Sequence, residues 1–346
     1  MAVEREIWEG DIVEKLYAEN PHLSLCVNAD QYVLAGKVVH IPQAGAAPDV
    51  VKNRSSLPAA VKKRTDTDIT YPLDEYTSDP VHISNAETIE PSYDKRMSVM
   101  ADTHMALNET VGVVTIRNWA PSGSARIIRT SGEAVAAHMP GATGMRKKFL
   151  KAELKKAQKQ MNKDNIPTSD RYAMFDADMM DQLTDSLTDS EYRDFSRAYD
   201  EKNGVVGKLF GFTILSRSYV LGYNGSAAIE PGGEGNSPDC AAVLCWHKNS
   251  VENALGQVKF FEDEGNPQYY GDIYSALVRM GGRIRREDQK GVVAIVQDLV
   301  TEAWKTGEEY KADAFVTNDG NTYVCVEDHT ASAAFATDAA KWEEIV

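Results

Sequence analysis

Residues 37 to 90 constrain this chain more than any other segment. Short β-rich runs, Lys37 to Ile41, Asp68 to Tyr71 and Val81 to Ile83, flank a stretch rich in Pro, Ala, Ser and Lys. The pattern predicts a long two-stranded excursion. Such a hairpin has little core of its own and needs partners to cover it. A connection this long in a compact chain is usually functional.

The remainder has enough material for one large or two ordinary domains: 346 residues, 42% of them hydrophobic. A formal net charge of −15 argues against a dedicated nucleic-acid binder, while leaving room for one basic face. No apolar run approaches the roughly 20 residues that span a bilayer. The charged N-terminus lacks a signal-peptide core, so synthesis and retention in a cytoplasm is the expectation, with no membrane partner. The cysteines are Cys26, Cys240, Cys245 and Cys325; none forms a CxxC pair. His247 and His329 lie near two of them, but no four-ligand zinc spacing results, and buried reduced thiols are expected.

Periodicity outlines the rest. Ile7, Trp8, Ile12, Leu16 and Tyr17 predict an amphipathic helix that Pro21 ends, followed by a loose arm. Residues 91 to 117 read as a long helix with Tyr93, Met97, Met100, His104, Leu107 and Val111 on one stripe. A third helix follows Gly144, with Leu150, Leu154, Ala157 and Met161 as its apolar side and lysines around the rest. Thr188 and Glu191 match a capping box. Residues 240 to 255 read as a strand leading into a helix, and 282–286 with 292–297 as a closing hairpin. Strands and helices mix without a βαβ repeat, which predicts an α+β fold.

The stretch "FDADMMDQL" places Asp176, Asp178 and Asp181 within six positions, a density of oxygen ligands that suits a hard cation. A helix start explains them better: Asp176 ends a strand, Asp178 falls in the first helical turn, and Met179, Met180 and Leu183 pack inward. No GxxxxGK[ST] loop, HExxH or GxSxG motif occurs. No catalytic residue, metal site or cofactor is assigned.

The same stretch, "NIPTSDRYAMFDADMMDQL" with its Pro167-to-Arg171 step, resembles the major capsid proteins of tailed bacteriophages, the Hong Kong 97-type fold. "GVVGKLFGFTILSRS", "AAVLCWHKNSVENALG" and "GDIYSALVRMGGRIRREDQKGVVAIV" are similar to further phrases of that family, in the same order. The resemblance covers roughly residues 30 to 300. It implies an N-terminal arm at 1–36, an extended E-loop at 37–90, a P-domain spine helix at 91–120, a mainly A-domain segment at 121–265 and a P-domain return at 266–300. It implies a non-enzymatic major capsid protein that self-assembles into pentamers and hexamers, forming the icosahedral head around phage double-stranded DNA. The chain would be assembled in the bacterial host cytoplasm and reside in the virion. Its partners would be further copies of itself, a scaffolding protein, the portal, a cement protein and nonspecifically packaged DNA. Lys52, Arg54, Lys62, Lys63 and Arg64 would make E-loop contacts between subunits. Lys147, Lys148, Lys151, Lys155, Lys156 and Lys159 form a candidate DNA-facing basic helix, although a solvated helix face accounts for them as well.

Residues 301 to 346 have a different texture, with Asn318-Asp319-Gly320-Asn321 as a hairpin turn signal. Trp304, Gly307, Tyr310, Val316, Gly320, Tyr323, Cys325, His329, Thr330 and Trp342 resemble the small chitin-binding type of carbohydrate-binding module. Trp304, Tyr310, Tyr323 and Trp342 are its candidate glycan or contact aromatics. Where enzyme-borne members place exposed aromatics, this chain has Glu327, Asp328 and His329. An exterior decoration or subunit-contact module is therefore expected over a glycan binder, and the module should be removable without loss of shell assembly. Two alternatives remain open: a glycan-binding adhesin or hydrolase carrying the module, and an encapsulin-like compartment shell.

Overall fold

The structure, a computed structural model, describes residues 2–34, 38–43, 52–53, 67–84, 95–200, 204–230 and 236–345. They form two compact units. One comprises 1–15, 28–107 and 253–281, the other 16–27, 108–252 and 282–346. The mixture of helices and sheets is α+β, with a small all-β module at the C-terminus.

In the first unit the predicted excursion is an antiparallel hairpin. Val38–Gln43 pairs with Thr67–Pro72, in register from Val38 opposite Pro72 to Gln43 opposite Thr67. Asp74–Thr77 and Val81–Ser84 both pair with the long strand Gly271–Ile284, itself beside Val251–Asn266. Ala29, Val39, Leu73 and Ala254 form one buried cluster, and Ile83, Tyr274, Ala276, Val278 and Met280 are also buried along these strands. Phe260 lies between Trp8 and Tyr274, with ring centroids 6.2 and 6.0 Å away.

The second unit is built on an eight-stranded sheet. Cys240–His247 is its central strand, bonded to Arg171–Phe175, Leu221–Asn224 and Val292–Val296. Successive side chains on a strand point to opposite faces, and the buried residues obey this strictly. Ala173, Phe175, Val243, Cys245, Val293 and Ile295 meet the helices, where Leu154, Ala157, Met161, Met179, Leu183 and Phe195 are buried. Met174, Ala242, Leu244, Trp246, Val292, Ala294 and Val296 face Cys26, Ile116 and Trp119. Both faces are covered, so the strands read as continuous apolar runs rather than alternating ones.

Three expectations are corrected here. After its short 3-10 turn, residues 251 onward continue as the strand Val251–Asn266 instead of a helix. Its first four side chains are all buried, which a one-sided amphipathic helix could not achieve. The strands Gly271–Ile284 and Val292–Val296 do not form a hairpin: each joins a different sheet. The segment after Pro21 is not loose. Leu23 and Cys26 are buried, Leu25 O accepts from Trp246 Nε1 at 3.0 Å, and His22 meets the edge of Trp119. Burial, with Arg217 nearby, lowers the His22 pKa to about 3, so this imidazole packs as a neutral ring.

The C-terminal module has the sheet order Glu302–Ala303, Phe315–Asn318, Asn321–Cys325, Trp342–Ile345. Asp319 and Gly320 have φ of 49° and 88°, the left-handed pair a two-residue hairpin loop requires. One face of this sheet packs its own core of Val316, Cys325, Trp342 and Tyr310. Phe315 and Val324, paired across the hairpin, are equally buried but outside that cluster, on the other face.

Candidate functional sites

Asp176 ends the strand Arg171–Phe175 and caps the helix Ala177–Asp185: its Oδ1 accepts from Met179 N at 2.7 Å. Its Oδ2 lies 2.8 Å from His138 Nε2. Asp178 and Asp181 are exposed, and among the described residues no group of three or more His, Cys, Asp or Glu side chains could hold a metal ion. Arg171 is buried, giving its guanidinium to Pro167 O and Ile166 O at 2.7 and 2.6 Å, which explains the Pro-x-x-x-Arg spacing. Thr188 and Glu191 form the expected capping box.

The His138–Asp176 pair carries a pH dependence. Burial disfavours the imidazolium, but the hydrogen bond and charge of Asp176 outweigh it, so the His138 pKa lies above its ordinary 6.5. A raised folded-state pKa stabilises fully below the unfolded value and is lost as pH rises through the folded one. Wild type should therefore lose stability relative to His138→Gln as pH climbs from about 6 to about 8. Thermal melts across that range check this; parallel curves for the two proteins would refute it.

The basic helix is Lys151–Lys163, and the structure divides its lysines. Lys147 pairs with Asp298 at 2.5 Å, Lys148 with Asp185 at 3.1 Å and Lys151 with Glu191 at 2.6 Å. These three hold local structure together. Lys156 lies 3.8 Å from the buried Glu153, which also accepts from Leu150 N and Ser131 Oγ at the helix start. Lys155 and Lys159 are exposed and have no ion pair among the described residues; Lys163, not singled out from sequence, continues their row. Of the residues expected to make loop contacts between subunits, Lys52 is exposed. Arg54, Lys62, Lys63 and Arg64 lie outside the described residues, as does Tyr93 of the long helix.

The module's aromatics form its interior. Tyr310 and Trp342 are 5.1 Å apart edge to face, Phe335 stacks on Trp342 at 5.6 Å, and Tyr323 and Trp304 meet Phe335 at 4.7 and 5.7 Å. Tyr310 and Trp342 are buried, Trp304 and Tyr323 half-buried. A sheet under 50 residues needs these rings for its own stability. Where an exposed aromatic would sit, Asp328 instead accepts from Ala312 N at 2.8 Å and Lys311 Nζ at 3.1 Å.

The most elaborate site had no signal in the sequence. Arg146 is fully buried. Its guanidinium donates to Thr143 O at 2.9 Å, Ser237 O at 2.7 Å and Asp239 O at 2.9 Å. It also lies over the Phe315 ring of the module, 5.0 Å from the centroid. Ser237 Oγ donates to Asp313 Oδ1 at 3.1 Å, and Val300 N to Met145 O at 3.2 Å. A Cβ on Gly144, at φ +76°, would come within 2.6 Å of Phe315 Cε2. The second face of the module sheet is thus seated on residues 143–146, against a cation and a glycine.

Comparison with known proteins matches both parts. Residues 303–343 fit the model of carbohydrate-binding module family 5/12. No curated protein sequence matches the chain. Among solved structures, the capsid of Ralstonia phage GP4 is similar over 81% of this chain and 89% of its own, with a TM-score of 0.58 and 10% identity. The capsid of the cyanophage P-SCSP1u covers 78% and 86%, at 0.54 and 19%. The head structure of Helicobacter pylori bacteriophage KHP40 covers 81% and 90%, at 0.54 and 12%. The chain therefore has the Hong Kong 97-type capsid fold, with a small all-β module at its C-terminus.

Proposed function

We propose that the chain is a phage major capsid protein: a structural subunit, without enzymatic activity, that self-assembles into hexamers and pentamers of an icosahedral head enclosing double-stranded DNA. The observation that carries this reading is the extent of the likeness, which takes in about nine tenths of each of three phage capsid or head chains. The pairing of Val38–Gln43 with Thr67–Pro72 fits it, since rotationally closed rings present every copy with a neighbour for such an element. Among the described residues no helix is long and apolar enough to cross a membrane. Scaffold, portal and a cement protein belong to this reading as further partners. The module has a second reading as a glycan binder, favoured by the family match at 303–343. The burial of its aromatics favours a contact role.

The test is to express the chain alone under reducing conditions and examine it by size-exclusion chromatography and negative-stain microscopy. Shells, tubes, hexamers or pentamers support the reading. A monomer that stays monomeric with crowding agents and candidate scaffold proteins refutes it.

A further inference from the structure

Residues 301–346 hold ten Asp and Glu but only three Lys and no Arg, a far denser negative charge than the rest of the chain carries. Two of the lysines are spent locally, Lys311 on Asp328 and Lys341 on Glu327. Glu302, Glu308, Glu309, Asp319, Glu343 and Glu344 are exposed and have no ion pair among the described residues. The sheet register sets two of them in one line: Glu302 lies opposite Val316, Val316 opposite Tyr323, and Tyr323 opposite Glu344. Side chains directly across strands share a face, so these carboxylates flank the same face at its two edges, about 14 Å apart at three strand spacings.

A complementary row exists on the same chain. Lys155, Lys159 and Lys163 recur every fourth residue along one side of their helix, spanning about 12 Å. None of the three has an ion pair among the described residues, and Lys156 beside them leans on Glu153. Within a chain the two rows do not pair. The module cannot swing to reach them, because Phe315 is seated on Arg146 and Gly144 and the strand Met145–Lys147 is tied to residues 298–300.

We propose that the acidic module of one copy docks against the Lys155–Lys159–Lys163 row of an adjacent copy. The inference rests on the shell reading above, in which each subunit meets its neighbour through two different patches and rotation closes the ring. Two rigid rows of opposite charge and similar length make such a pair. Fixing the module on its own subunit means no ordering is needed on contact. Packaged phosphate is the competing occupant of the lysine row, but it leaves the acidic density of the module without a role.

The test uses the full chain and a charge swap. Lys155→Glu with Lys159→Glu makes one half-set, Glu302→Lys with Glu344→Lys the other, and a third protein carries all four. Sedimentation across a sodium chloride series reads the salt at which particles come apart, with circular dichroism confirming the fold. Each half-set should lower that concentration, since the remaining contact is between like charges, and the four-fold variant should restore it toward wild type. The single swap of Lys163→Glu with Glu344→Lys repeats this with less perturbation. A four-fold variant no better than the worse half-set overturns the proposal while leaving the shell reading intact. Loss of packaged nucleic acid confined to the lysine half-set, without rescue, assigns the row to phosphate instead. Failure of the wild-type chain to form any particle removes the shell reading, and this contact with it.

Discussion

Arg146→Ala should lower the unfolding free energy by about 4 kcal/mol, a large share of a typical domain's stability. The buried guanidinium satisfies carbonyls at 143, 237 and 239. Hydrogen bonds from a charged donor contribute about 1.5–3 kcal/mol each, and the stranded carbonyls add a desolvation cost. Burial lowers its pKa, yet an arginine remains cationic under all ordinary conditions. Arg146→Lys should recover little, because a point charge cannot reproduce the planar fork. Urea denaturation with an unchanged slope would measure the loss. A change under about 1 kcal/mol would mean that solvent reaches these carbonyls.

Truncation after Val300 should be nearly as damaging. On sequence alone the module reads as removable decoration. In the fold its sheet buries side chains on both faces, and Phe315 of the second face lies against Arg146 and Gly144. Removing it uncovers Gly144 and the Arg146 guanidinium and deletes the Phe315 ring seated on them. A loss of about 2–3 kcal/mol would lower Tm by roughly 6 °C, at about 2–4 °C per kcal/mol for a large domain. The truncated chain should melt earlier and give fewer particles. A truncated protein that melts with wild type and assembles normally would reduce the module to an ornament and weaken the docking inferred above.

Local signals were legible in the sequence and long-range ones were not. The Asp176 cap, the Thr188–Glu191 box and the Asp319-Gly320 turn each depend on residues a few positions apart, and each is present. The pairing of Val38–Gln43 with Thr67–Pro72 was readable because β-rich runs flank a stretch rich in Pro, Ala, Ser and Lys. The strand Val251–Asn266 was misread because Val251, Ala254 and Leu255 fall at helical spacing, while the pairing that overrides it comes from Gly271–Ile284. The basic helix was found, but its division was not. Whether a lysine is free depends on Asp185, Glu191 and Asp298, all distant in sequence. Arg146 was invisible for the same reason: its carbonyl partners carry no side-chain signature.

The four cysteines give the molecule an internal clock. All four are buried thiols outside any disulfide, and burial raises the thiol pKa of Cys240, Cys245 and Cys325. A protonated, enclosed thiol is a poor nucleophile, so an alkylating reagent registers only chains that have opened. Cys325 sits in the module core, Cys240 and Cys245 on opposite faces of the large sheet. The order in which they become labelled would time the loosening of the module against that of the body, in free chains and in closed particles alike.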